Sequence, residues 1–130
     1  MRILLDTHVF IWIINEDDKL GGKSRELVSS TSNELFISYF SFFEMTIKKS
    51  LGKLEFDASV MDDLKKMDIK LMYGDKQSLS GYQVFNQKNK DPFDNFLIST
   101  AKANNLVFMS GDSKILSTKM EGLELFDALT

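Results

Sequence analysis

The stretch RILLDTHVFIWII at residues 2–14 changes character at Asp6. Residues 2–5 are an apolar run long enough for a buried strand, and residues 7–14 have a helix-like pattern. Asp6 therefore stands at the C-terminal tip of a predicted strand. In parallel α/β sheets ligands bind beside such tips, at the point where the strand order reverses.

The rest of the chain continues this alternation of strand and helix. Further strands are predicted at 34–38, 69–73, 106–110 and 123–126, helices at 23–32, 40–50, 58–67, 92–104 and 112–119, and a helix-capable segment at 76–85. Strands that alternate with helices indicate βαβ units with right-handed crossovers. The sequence predicts one α/β domain over residues 1–130, with a mainly parallel central sheet covered on both faces.

Two further acids have positions related to that of Asp6. Asp112 follows the apolar run LVFMSGD at 106–112, and Asp94 lies in the first turn of the helix that starts in DPFDNFLISTA. Asp91 suits the N-cap of that helix and Pro92 its first position. The plain alternative for Asp6, Asp94 and Asp112 is that each caps a helix or interacts favourably with its dipole.

Glu44 is harder to explain by a structural role. Apolar residues recur at helical spacing around it in FSFFEMTIKKSLGKL, at Phe40, Phe43, Ile47 and Leu51. These residues predict a buried helix face, and Glu44 lies on that face or at its edge. A buried carboxylate is costly, so Glu44 is expected to be protonated, paired or bound to a metal. The alternative is an ordinary ion pair with Lys48, four residues later.

Four carboxylates in one crevice would repel one another, and a hard divalent cation would relieve that repulsion. Mg²⁺ or Mn²⁺ suits such oxygen ligands. The chain has no cysteine and one histidine, so a zinc site of the Cys/His kind is excluded. That histidine, His8, is better suited to the start of a helix or to the surroundings of a site than to ligation.

Net charge and cysteine content limit the partners and the compartment. The net charge of −3 and the pI near 5.1 argue against a broad basic surface for nucleic acid. Local patches at Lys48, Lys49 and Lys53, or at Lys88 and Lys90, could recruit phosphate, although for each lysine alone a place on the solvated surface is the better interpretation. The lack of cysteine fits a reducing cytoplasm, and no apolar stretch is long enough to cross a membrane.

Four segments, in order, resemble the acidic motifs of the PIN-domain ribonucleases, in particular the VapC-type toxins: LLDTHVFIW, SFFEMTIKKSLGKL, DPFDNFLISTA and SGD. The resemblance runs through nearly the whole chain and implies a PIN-like three-layer α/β/α sandwich. It implies that the catalytic residues and metal ligands, for Mg²⁺ or Mn²⁺, are Asp6, Glu44, Asp94 and Asp112. It further implies that Thr7 and Ser110 orient substrate or water.

The implied activity is hydrolysis of RNA phosphodiester bonds by a metal-activated water, by a toxin that inhibits translation or growth. The implied partners are an RNA substrate, a cognate antitoxin protein and a second copy of the chain, with no membrane, in the cytoplasm. Phenylalanines on helix 40–50, with Phe42 and Phe43 on different faces, could mark the contact between the copies. The chain departs from the family at Asn89 and Asn95, where relatives usually carry histidine and often arginine.

Two other readings compete with a ribonuclease. A non-catalytic PIN-fold module would bind RNA or a protein and keep the acids for structure. A phosphoryl-transfer domain of the receiver or haloacid-phosphatase type would also place aspartates at strand tips. The phosphoryl-transfer domain is disfavoured because Asp6-Thr7-His8 lacks the second aspartate of the phosphatase signature. In addition, no lysine stands at the end of a late strand, before a loop.

Overall fold

Five parallel strands form one central sheet in the computed structural model, which describes all 130 residues. The strands are β1 (Arg2–Leu5), β2 (Glu34–Ser38), β3 (Ile69–Met72), β4 (Val107–Ser110) and β5 (Glu124–Asp127). The helices are α1 (Thr7–Ile14), α2 (Gly22–Ser29), α3 (Tyr39–Ser50), α4 (Lys76–Ser80), α5 (Pro92–Ala103) and α6 (Ser113–Leu116). The strand order is β3-β2-β1-β4-β5, and every neighbouring pair is parallel. The predicted parallel α/β fold is confirmed.

The alternation of side chains along β1 divides the core into two layers. Ile3 and Leu5 point to one face, where they belong to a cluster that includes residues of α1 and α3. Leu4 points to the other face and belongs to a cluster that includes residues of α5 and α6. Both faces of a parallel sheet must be covered, and this explains why the strands are apolar throughout. The result is a three-layer α/β/α sandwich.

The strand order reverses next to β1. From β1 the chain builds β2 and β3 on one side, and it then crosses to place β4 and β5 on the other side. Leu5 is in register with Met109, and the Asp6 N–H donates to the Met109 carbonyl at 2.9 Å. The first residue after β1 therefore lies beside the C-terminal end of β4, at the switch point of the sheet.

Most predicted elements are present, but the helix predicted at 23–32 ends at Ser29 and three other helical segments are shorter still relative to their predicted lengths. The segment predicted as a helix at 58–67 is a 3₁₀ helix at Ala58–Asp63 followed by turns. None of its six residues is buried, so little packing stabilises a longer α-helix. The predicted helix at 112–119 ends at Leu116, and the helix-capable segment 76–85 is helical only until Ser80, with Gly81 as its C-cap.

The buried face of α3 differs from the predicted one. Phe43 is 51% exposed and Leu51 is 62% exposed, so the stripe inferred from their spacing is not the core face. The buried residues of α3 are Ser41, Phe42, Glu44 and Met45. Phe42 packs edge-on against Phe10 of α1, with ring centroids 5.4 Å apart. Apolar residues occur on both sides of α3, and contact with α1 and the sheet selects the side that carries Glu44.

The start of α5 follows the predicted capping pattern. The Asp91 carboxylate accepts hydrogen bonds from the Phe93 N–H at 2.8 Å and the Asp94 N–H at 3.2 Å, and Pro92 occupies the first helical position. This cap fixes Asp94 in the first turn.

The longest helices, α3 and α5, have 12 residues each. None of the helices combines the length and the apolar composition that crossing a membrane requires.

Gly111, just after β4, allows a close contact with Trp12 of α1. A Cβ at position 111 would lie 2.6 Å from Cη2 of the indole ring, closer than atoms can approach. The absence of a side chain therefore lets α1 pack directly against the loop that carries Asp112.

We predict that Gly111→Ala lowers the free energy of unfolding by about 1–3 kcal/mol, the usual cost of overpacking a filled site. The matched control is Gly22→Ala at the start of α2, where an added Cβ meets nothing within 4 Å, so stability should stay the same or rise slightly. Urea unfolding followed by circular dichroism measures both. Equal stability of the two variants would contradict the contact.

Candidate acidic site at the junction of β1 and β4

Asp6 is buried at the switch point, with 2% of its surface exposed. One oxygen, Oδ1, accepts from the Thr7 N–H at 2.7 Å, which makes Asp6 the N-cap of α1. The other, Oδ2, accepts from the Ser110 hydroxyl at 2.7 Å. Burial outweighs these two hydrogen bonds and raises the pKa of Asp6 to about 6.

Two hydroxyl groups connect Asp6 to its neighbours. The Thr7 hydroxyl donates to Ser41 Oγ of α3 at 2.9 Å, and both residues are buried. Ser110 Oγ also accepts from the Asp112 N–H at 3.1 Å. Thr7 and Ser110 are therefore where the sequence predicted them, beside Asp6. Ser41 was missed, and the only sequence signal was a small polar residue three positions before Glu44.

Glu44 is buried, with 4% exposure, and its two oxygens differ. Oε2 pairs with Lys48 Nζ at 3.0 Å, which is the ion pair that the sequence offered as the plain alternative. Oε1 is buried and has no hydrogen-bond partner. A buried carboxylate oxygen without a partner is costly, so this atom is a candidate for binding a cation or a donor that completes the site.

Asp94 is half-buried, and Asn89 holds it. The Asn89 side-chain amide donates to Asp94 Oδ2 at 2.9 Å. Burial is the main reason that the pKa of Asp94 is raised to about 7, and the charges of Asp6, Asp91 and Glu44 raise it further. The Asn89 hydrogen bond acts in the opposite direction but does not compensate.

The two asparagines at the family's histidine and arginine positions have different roles. Asn95 is buried and faces the preceding loop: it accepts from the Phe85 N–H and donates to the carbonyls of Asn89 and Asp91. It therefore fixes the loop that carries Asn89. The sequence marked both positions as departures but did not predict the contact between Asn89 and Asp94.

Asp112 lies at the exposed edge of the site. Its Oδ1 accepts a hydrogen bond from the Lys114 N–H at 2.8 Å, so Asp112 caps α6, which is the helix-capping role that the sequence offered as an alternative. Its charge still contributes to the raised pKa of Asp6, as does the charge of Glu44. The structure therefore brings Asp6, Glu44 and Asp94 within repulsive range of one another, and places Asp112 next to Asp6.

No three of the chain's acids or histidine converge closely enough to hold a metal ion with the side chains as they stand. Lys48 occupies one oxygen of Glu44, and Asn89 occupies one oxygen of Asp94. The donor set nevertheless fits a hard cation, because it consists of carboxylate and hydroxyl oxygens and includes the unpartnered Glu44 Oε1. Binding would require the acidic side chains to converge more closely than they do here.

The fold and the site together define a class of protein, the small parallel α/β domains that carry acids at the switch point of the sheet. The family model described as "PIN domain" matches residues 3–119. This chain therefore belongs to the PIN domain family, as its motifs predicted. PIN domains are in general nucleases. No curated protein matches the chain in sequence.

Several solved structures share the fold. A chain of VapBC-1 from nontypeable Haemophilus influenzae is similar over 100% of both chains, with 17% identity and a TM-score of 0.66. A chain of VapBC2 from Rickettsia felis, solved bound to a DNA fragment from its promoter, is similar over 98% of both chains, with 16% identity and a TM-score of 0.65. A toxin–antitoxin complex from Klebsiella pneumoniae matches over 93% of this chain and 94% of the other, with 14% identity and a TM-score of 0.62.

The raised pKa of Asp6 predicts how stability depends on pH. The folded pKa of about 6 lies above the ordinary value of 3.8, so folding favours the protonated acid. The stability that protonated Asp6 contributes to the fold is fully present below about pH 4 and is lost as the pH rises through 6. A rise from 3.8 to about 6 corresponds to about 3 kcal/mol.

In EDTA, Asp6→Asn should therefore gain up to about 3 kcal/mol of unfolding free energy relative to the unsubstituted chain between about pH 4 and pH 7. Chemical denaturation at a series of pH values measures this difference. Asparagine does not titrate, so pH effects of groups away from the site cancel in the comparison; Asp94 is the exception, because the charge of Asp6 helps to raise its pKa. A difference that stays constant with pH would show that Asp6 ionises normally in the fold.

Proposed function

We propose that this chain is a metal-dependent endoribonuclease, the toxin component of a VapC-type toxin–antitoxin pair, acting in the cytoplasm as a single PIN-like domain over residues 1–130. The observation that carries the proposal is the unpartnered, buried Oε1 of Glu44 in the same crevice as the buried Asp6, in a chain of the PIN domain family. Two buried acids at a switch point have a cost that a bound cation offsets.

The proposed metal ligands are Asp6, Glu44, Asp94 and Asp112. Bound Mg²⁺ or Mn²⁺ supplies the neutralising charge for a phosphodiester and lowers the pKa of a coordinated water. Because two of these acids have pKa values near 6 and 7 without metal, they bind a cation more weakly as the pH falls below those values.

The side chains have separate tasks in the hydrolysis. Asp94 is suited to help take a proton from the attacking water, because Asn89 holds Oδ2 and leaves Oδ1 free. Ser110 holds Asp6 through its hydroxyl and Thr7 holds it through its backbone N–H, and by fixing Asp6 these two residues would orient substrate or water. By the family pattern, the products carry 5′-phosphate and 3′-hydroxyl ends.

The solved relatives support an antitoxin as partner. Two of them are VapBC structures and a third is a toxin–antitoxin complex, and the similarity covers 93% or more of this chain. We propose that an antitoxin segment covers the acidic crevice and blocks cleavage. Adding the purified product of a neighbouring reading frame to the cleavage assay tests this, and unchanged cleavage in its presence would argue against that product as the antitoxin.

The first prediction is cleavage of RNA by the purified chain with Mn²⁺ or Mg²⁺. Cleavage should be lost in EDTA and should fall at least about 100-fold in Asp94→Asn, because a general base contributes about 10²–10⁴-fold to rate. Gel analysis of a mixed RNA pool, with end-group mapping, measures both activity and product ends.

The matched control is Asp91→Asn, which keeps an N-cap side chain three residues from Asp94 and removes a charge that lies outside the proposed ligand set. It should retain most activity. Cleavage that survives EDTA and Asp94→Asn would reveal a contaminant or another mechanism. Melting curves add an independent check, because Mn²⁺ should raise the melting temperature of the chain and raise it less in Asp94→Asn.

One observation favours the alternative of a non-catalytic module that binds RNA or protein. The acids do not converge as a metal cage, and Lys48 neutralises Glu44. This alternative predicts no cleavage, no metal-dependent rise in melting temperature and unchanged binding by Asp94→Asn. The cleavage and melting experiments separate it from the ribonuclease.

We further propose that the chain forms a homodimer through a patch of exposed aromatic and apolar side chains near the start of α3. The patch consists of Tyr39, Phe43 and Tyr73, which are 45%, 51% and 69% exposed. Tyr39 stacks near Tyr73, with ring centroids 5.4 Å apart, and Phe43 contacts Phe93. Clustered exposure of this kind is typical of a surface that another protein covers.

Phe43→Glu should therefore shift the chain from dimer to monomer, because it places a charge inside the contact. Leu51→Glu, at the other end of α3 and outside the patch, is the matched control and should leave the assembly unchanged. Light scattering coupled to size-exclusion chromatography gives the mass of each. A monomeric unsubstituted chain at high concentration would rule out the dimer.

A further inference from the structure

A second pocket lies beside the acidic crevice, between α1 and α3. Its volume is about 420 Å³, and its lining is unusually basic for a chain with a net charge of −3. Three lysines line it, Lys19, Lys48 and Lys53, together with Trp12 and His8.

This pocket shares neighbouring residues with the proposed active site. Thr7, which follows Asp6 directly, forms part of its wall. Lys48 forms another part, and its ammonium group is the one that pairs with Glu44 at 3.0 Å.

The lysines of the pocket outnumber the acid in its lining. Lys19 and Lys53 are exposed and form no ion pair. The one acid in the lining is Asp17, and its Oδ1 already accepts from the Lys19 backbone N–H at 2.9 Å. An anion in the pocket would thus meet two free ammonium groups, and a third whenever Lys48 leaves Glu44.

Trp12 gives the pocket an aromatic wall in a fixed position. The indole ring packs on Gly111, where no Cβ could be accommodated, and remains partly exposed. The Lys19 ammonium group lies over the ring, 6.0 Å from its centroid. A nucleobase stacks on an exposed indole more strongly than an exposed ammonium does, so a base can displace Lys19 from the ring. The freed ammonium is then available to a phosphate.

We propose that this pocket binds the nucleotide next to the scissile phosphate of a single-stranded RNA, an inference that rests on the proposed ribonuclease function. The phosphate is held by Lys19, Lys48 and Lys53, and the base stacks on Trp12. Charge complementarity favours this occupant over a protein segment, because a phosphate and a base match the cations and the aromatic ring together. Binding also draws Lys48 towards the phosphate and frees Glu44 for a cation.

The chain's single tryptophan makes this site directly observable. In the Asp94→Asn chain, which should leave the RNA uncut, a short mixed-sequence single-stranded RNA should quench Trp12 fluorescence. The double substitution Lys19→Gln with Lys53→Gln should weaken binding about tenfold or more. It should also reduce the slope of log Kd against log salt by about 1.4, since each of the two lysine contacts to phosphate contributes about 0.7. Lys48 is left intact because it also pairs with Glu44.

The matched control removes two exposed lysines from elsewhere, Lys65→Gln with Lys102→Gln, and changes the net charge equally. It should bind RNA with nearly unchanged affinity and salt slope. Equal losses in the two double variants would reduce the effect to net charge and overturn the subsite. RNA that binds without quenching Trp12 would also overturn it, as would quenching by a purified antitoxin but not by RNA.

The outcomes separate this inference from the proposed function. Metal-dependent cleavage without a Trp12 signal leaves the ribonuclease standing and removes the subsite. A Trp12 signal that depends on Lys19 and Lys53, without cleavage, supports the subsite and removes the catalytic proposal. If neither cleavage nor RNA binding occurs, both are wrong.

Discussion

The site depends on the hydrogen bond between Ser110 and Asp6, two residues that are 104 positions apart in sequence. This bond joins the end of β4 to the residue that follows β1. A buried carboxylate must be satisfied locally, and here β4 supplies the hydroxyl and α1 supplies a backbone N–H. The pairing of Leu5 with Met109 sets these distances. Even so, burial leaves the pKa of Asp6 at about 6, so the fold places a destabilising acid at its centre. Such local cost is typical of functional sites.

The ion pair between Glu44 and Lys48 connects stability with the proposed chemistry. Breaking a buried pair leaves an uncompensated charge, so in the metal-free chain Lys48 stabilises Glu44. The same ammonium faces the basic pocket, where a phosphate would compete for it. Binding of a metal ion at Glu44 and binding of RNA at Lys48 would therefore favour each other. The metal ion would neutralise the Glu44 carboxylate once Lys48 leaves it, and the phosphate would pair with the Lys48 ammonium group. The proposed active site and the proposed subsite are coupled through one side chain.

The amide of Asn89 has a specific electrostatic consequence. A cation at the family's usual histidine position would lower the pKa of Asp94, whereas a neutral amide contributes only a hydrogen bond. The pKa of Asp94 therefore stays at about 7. Asn95, buried and bonded to three backbone groups, holds the loop in place. Together the two asparagines maintain the geometry around Asp94 without adding positive charge.

The sequence by itself determined the strand and helix alternation and the parallel sheet, because short apolar runs and caps are local signals. Strands 2–5 and 34–38 and the helix at 7–14 follow directly from such signals. Only the tertiary structure decided which side of α3 is buried, since apolar residues lie on both sides and packing against α1 makes the choice. The same holds for the contact of Asn89 with Asp94 and for the basic pocket around Trp12. These features bring together side chains from separate elements. No local sequence pattern specifies which of these side chains come into contact once the strands have paired around the switch point.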